Sequence, residues 1–170
     1  MLQQIVTSDE TFKVGTVYTL TGWYRVQDFL DTSKSEISGQ IAVSSNQEVF
    51  YRTVVTSNTK GWQRFSADIK LDDGDLNIWL YAFGNSHTTM NVGIDNLSLV
   101  PKAGKNPKAI AVVASVPNAT LTNPSFEETV SRPINAKGWF RDQGKAIAVK
   151  GPGAKEGSRF MSVWILRYHV

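Results

Sequence analysis

Between Asp75 and Phe83 the chain alternates with a period of two. Leu76, Ile78, Leu80 and Ala82 are aliphatic or small, while Asp75, Asn77, Trp79, Tyr81 and Phe83 are polar or aromatic. Successive side chains of a strand point to opposite faces, so this stretch predicts a β-strand with an aliphatic core face and an aromatic outer face. A Gly84-Asn85-Ser86 turn signal follows, and Val92, Ile94, Leu97 and Leu99 mark a second apolar strand. Three aromatics opposite a core face suit contact with something flat and apolar, a sugar ring or another protein.

The same periodicity organises the rest. Leu2–Val6 predicts a short strand, and Thr16–Val26 a strong one rich in β-branched and aromatic residues. One face of the latter carries Tyr18, Leu20, Gly22, Tyr24 and Val26; the other carries Val17, Thr19, Thr21, Trp23 and Arg25. Residues 28–38 are polar and predict a loop. Strands are expected over Ile41–Ser44, Glu48–Val55 and Trp62–Leu71, separated by turns rich in Ser, Asn and Gly. Residues 101–117 differ in character: a basic, Pro/Gly-punctuated linker, then an apolar run with Ala109, Ile110, Val112, Val113 and Val116, which reads as an extra strand or a packed assembly arm. Beyond it the β pattern resumes over Leu121–Phe126, Gly138–Phe140, Ala146–Val149, Phe160–Val163 and Trp164–Val170. No segment has helical periodicity, so an all-β sandwich or jelly roll is expected.

Composition narrows the picture by exclusion. A chain of 170 residues can bury a core without covalent staples, and it has no cysteine for a disulfide or thiolate metal site. The net charge of +3 comes from interspersed signs, which gives no reason to expect nucleic acid or an anionic membrane as partner. No signal peptide is visible at the start, and no stretch nears the ~20 apolar residues of a membrane-spanning helix. Localisation stays open.

Two groups of motifs resemble the jelly-roll carbohydrate-binding modules appended to xylanases and glucanases. Asn123-Pro124-Ser125-Phe126-Glu127-Glu128, Gly138-Trp139 and 156–160 (EGSRF) resemble the first third of such a module. Leu2-Gln3-Gln4, 15–20 (GTVYTL), 61–65 (GWQRF) and 94–99 (IDNLSL) resemble the remaining two thirds. The order is reversed relative to the family, whose opening signature comes first and whose IDxLSL-type strand comes last. The chain thus divides into 1–100 (the C-terminal two thirds), 101–117 (linker or arm) and 118–170 (the N-terminal third). Three arrangements fit: a circularly permuted module, residues 118–170 completing a neighbouring subunit by strand exchange, or a piece of a tandem array.

Candidate chemistry follows. Trp79, Tyr81 and Phe83, with Trp23, Arg25 and Tyr51 on neighbouring strands of the same sheet, are expected to form a sugar-stacking platform, with Asn77 and Gln63 reaching hydroxyls; burial under a loop, the arm or another subunit is the alternative. The resemblance implies a structural calcium ion where first and last strands meet, with Asp95 and Glu127 at the matching acidic positions. His87 and His169 lie in unrelated contexts, and Asp72-Asp73 sits in a turn signal rather than across a cleft as a glycosidase pair needs. With no nucleophile elbow, phosphate loop or metalloprotease motif, the chain is expected not to be an enzyme. Two functions are expected. One is a structural interaction protein, a homo-oligomer or part of a larger assembly such as a virion (phage decoration or tail) surface. The other is a module binding a poly- or oligosaccharide.

Overall fold

Along residues 63–70 of the computed structural model, every second side chain (Phe65, Ala67, Ile69) is buried and the intervening ones are exposed. The structure describes residues 2–6, 14–33, 39–45, 48–70, 76–102, 127, 129–130, 135–136, 140–141, 145–150, 154–155, 157 and 159–165. The strands are β1 (Leu2–Val6), β2 (Val17–Asp31), β3 (Gly39–Ser45), β4 (Glu48–Val55), β5 (Gln63–Lys70), β6 (Leu76–Gly84), β7 (Thr88–Pro101), β8 (Thr129–Val130), β9 (Asn135–Ala136), β10 (Phe140–Arg141), β11 (Lys145–Lys150) and β12 (Arg159–Ile165). The described residues contain no helix. Residues 109–116 and 121–126, for which an arm and a strand are expected, lie outside the described set.

The strands form two five-stranded sheets, ordered β10-β1-β6-β3-β4 and β11-β12-β7-β2-β5, with β8 and β9 as a separate pair. All pairings are antiparallel. Both sheets contribute to one core: Ile41, Val43, Ile78 and Leu80 from the first, Tyr18, Leu20, Phe65, Ile69, Met90, Val92, Ile94, Leu99 and Met161 from the second. The fold is all-β and sandwich-like. Burying each large aliphatic side chain contributes roughly 1.5–3 kcal/mol, and that apolar set holds the sheets together.

The tail completes both sheets. β10 adds beside β1, with Gln3 opposite Phe140, and β12 adds beside β7, with Met161 opposite Ile94. Segments from opposite ends of the chain therefore lie in one sheet.

Two local features depart from the sequence expectation, and a third accounts for part of it. Residues 28–31 are not loop, because β2 continues to Asp31 through an irregularity at Asp28, whose φ is 53°. A polar side chain such as Asp tolerates that left-handed conformation, and the strand resumes after it. Trp164 does not open a new strand but continues β12 to Ile165. A bulge in β7 at Asn96, φ 49°, explains why its apolar positions change parity from Val92 and Ile94 to Leu97 and Leu99. The extra residue turns both pairs to the same face.

Candidate functional site: two outer faces

Directly opposed residues of antiparallel strands share a face, so the register defines the outer surface of the first sheet. Trp79 lies opposite Ser44, which lies opposite Val49; Tyr81 opposite Ala42, opposite Arg52; and Phe83 opposite Gln40, opposite Val54. Inward-facing Ile78 and Leu80 fix β6 on the core, which turns Trp79, Tyr81 and Phe83 outward as their alternation predicts. Trp79 and Tyr81 are half-buried, Phe83 is 39% exposed and Val54 is 53% exposed. The Tyr81 and Phe83 rings are near-parallel at 28°, with centroids 5.7 Å apart. Ala42 is fully buried in the middle rung, between Tyr81 and Arg52. The result is a ladder of aromatic and aliphatic surface with Ser44, Arg52 and Gln40 interleaved. Gln40 Oε1 is buried with no hydrogen-bond partner.

The other three platform residues are elsewhere. Trp23 and Arg25 lie on β2, in the second sheet, as does Gln63 on β5. Tyr51 shares the first sheet, but its opposite residue is core-facing Val43, and its ring packs 5.5 Å from Phe65 across the sandwich. A bulge between Val43 and Ser44 changes the parity of β4, so Tyr51 faces inward while Val49 faces out. Burial, then the neighbouring Tyr24 phenol, hold the Tyr51 hydroxyl above its ordinary pKa.

On the outer face of the second sheet, the Arg25 guanidinium carbon sits 5.1 Å from the Trp62 ring centre and 5.2 Å from that of Phe160. The two rings meet edge to face at 5.8 Å. They lie on the backbone of Gly93, where a Cβ would come within 3.1 Å of Trp62 and 3.2 Å of Phe160. Beside them, Lys155 Nζ stands 4.4 Å from the Trp23 ring centre. Trp62 and Phe160 are functional candidates that periodicity did not single out. Both lie in the family-like motifs 61–65 and 156–160, but nothing in the sequence assigned them to a site.

Asp95 is fully buried; Oδ1 accepts from the Asn96 amide at 2.7 Å and Oδ2 from the Lys155 amide at 2.7 Å. Glu127 is exposed, with its carboxylate against Gly157, in the same segment as Lys155. The two residues thus flank one segment, but each Asp95 oxygen already takes an amide hydrogen. Among the described residues no group of three or more His, Cys, Asp or Glu is placed to hold a metal ion. Calcium needs six or more oxygens, so these two carboxylates do not make its site by themselves. His87 donates its amide to Asn85 Oδ1 at 2.8 Å in the turn between β6 and β7, a local backbone role.

A cleft of about 380 Å³ opens where the 56–60 turn meets β2, lined by Tyr24, Val54, Asn58, Thr59, Lys60 and Gln63, among others. Asn58 and Thr59 spend their side-chain oxygens on the amides of Phe29 and Val26, at 2.8 and 3.1 Å. These bonds tie the turn to β2.

No family model matches the chain, and neither the curated proteins nor the solved structures contain a match.

Proposed function

We propose that this chain is a non-catalytic contact module, a jelly roll of the carbohydrate-binding type in permuted order, that stacks sugar rings on the outer face of its first sheet. The observation that supports this most is the ladder itself: Trp79, Tyr81 and Phe83 face out at alternate positions, with two near-parallel rings and polar Ser44, Arg52 and Gln40 alongside. Aromatic faces take the C–H surface of a pyranoside while polar neighbours hydrogen-bond its hydroxyls, a division of labour common to shallow binding surfaces. Among the described residues the ladder carries no paired carboxylates of the kind glycosidases use, in keeping with a binding role. In affinity electrophoresis through xylan or β-glucan the protein is expected to be retarded, and Trp79→Ala to abolish the retardation. Unretarded migration in every polysaccharide tried overturns this reading.

A second reading is supported by a different observation. Strands from the tail attach beside β1 and β7 of the front. The same pairs are open to the tail of a neighbouring copy, an exchange that suits a structural component locked into a homo-oligomer or a virion surface. Sedimentation separates the two: a glycan module stays monomeric, whereas strand exchange gives a concentration-dependent oligomer that is lost when 101–170 are removed.

A further inference from the structure

An arginine carries five N–H donors and no acceptor, so a half-buried guanidinium is ordinarily matched to carboxylates or carbonyls. Arg25 is half-buried and is not so matched. Among the described residues its guanidinium makes ring contacts with Trp62 and Phe160 and no hydrogen bond or ion pair, and its Nε is buried without a partner. Lys155, on the same face, likewise stacks on an aromatic ring and is paired with no carboxylate of a described residue. Opposite Trp23 on β5 lies a third cation, exposed Arg64. The nearest acid in register, Asp95, is turned to the backbone amides of Asn96 and Lys155.

We propose that this face holds a carboxylate-binding site for an acidic sugar, with Arg25 as the recognition group and Lys155 as a second cation. Two ring contacts hold the guanidinium in place before any ligand arrives, and a pre-placed fork loses little entropy when it takes a carboxylate. Cations stacked on rings, with no carboxylate partner among the described residues, leave a positive field with aromatic surface beside it. A uronate matches both elements, because it joins a carboxylate to a ring with C–H faces that pack against Trp23 or Trp62. An acidic peptide offers the carboxylate but only a flexible methylene stem. The site lies on the sheet that does not carry the Trp79 ladder, so it stands or falls independently of the neutral-glycan reading.

The test is binding of polygalacturonate at low salt, read by tryptophan fluorescence, with neutral galactan and poly-glutamate as parallel probes. Polygalacturonate is expected to bind, to weaken as salt is raised, and to be unaffected by Trp79→Ala. Arg25→Lys keeps a stacked cation but loses the fork; about tenfold weaker binding is expected with the melting temperature nearly unchanged. Lys155→Gln, at an exposed position, is expected to weaken binding several-fold. Absence of polygalacturonate binding by the unaltered protein overturns the proposal. So does Arg25→Lys binding at full strength, or poly-glutamate or galactan binding as tightly as polygalacturonate.

Discussion

The backbone amide of Lys155 donates to Oδ2 of Asp95 at 2.7 Å, across a sequence separation of 60 residues. The bond links the segment before β12 to the bulge of β7, and it makes a fully buried carboxylate part of the join between tail and front. Asp95→Ala removes the acceptor for two amides and is expected to cost about 2–4 kcal/mol, several degrees of melting temperature. Denaturant unfolding measures the loss. A calcium ion held beside Asp95 is expected to raise the melting temperature, so chelator and added calcium on the unaltered protein test that expectation.

Gly22 faces the core of β2, where an added Cβ would come within 2.7 Å of the Phe65 ring and closer still to Leu97 Cδ2. Neither neighbour can withdraw without disturbing the packing around it. Gly22→Ala is expected to destabilise by about 1–3 kcal/mol, read as a lower denaturant midpoint at an unchanged slope.

Gln40 places a buried, partnerless oxygen between Phe83 and Val54 on the outer ladder. Replacing it by a similar-sized apolar residue removes an unsatisfied acceptor, so Gln40→Leu is expected to raise stability by about 1 kcal/mol. If the ladder takes sugars, the same change weakens polysaccharide retention. Calorimetry and affinity electrophoresis on one variant separate the two effects.

Burial and the nearby Tyr24 raise the Tyr51 pKa above its ordinary value of 10.0. The folded state therefore holds that proton more tightly than the unfolded chain does. The stability this supplies is fully present below pH 10 and is lost as pH rises through the folded value. Melting temperatures from pH 8 to 12 are expected to fall less steeply above pH 10 for Tyr51→Phe than for the unaltered protein.

The exposed Lys102–Asp68 ion pair lowers the Asp68 pKa through the Lys102 hydrogen bond first and that of Thr19 second. Its stabilisation is present above the ordinary carboxylate range and is lost as pH falls through the depressed folded value. Both side chains are well exposed, so solvent and salt screen the pair. Lys102→Ala is expected to change the denaturant midpoint by less than the Asp95 variant does.

What the amino-acid order determined was local. A period of two along 76–83 sufficed to send Ile78 and Leu80 inward and Phe83 outward, because a strand has only two faces and the core takes the apolar one. The tertiary structure decided everything that depends on parity and on neighbours. One extra residue in β4 turned Tyr51 into the core, and another at Asn96 changed which positions of β7 are buried. Strand pairing put Trp23 and Arg25 in the sheet opposite the ladder, and brought Phe160 from the tail to complete the ring clamp around Arg25. Alternation states which face a residue shares with its strand-mates; it carries no information about which strand lies alongside. That choice is made by long-range burial and hydrogen bonding.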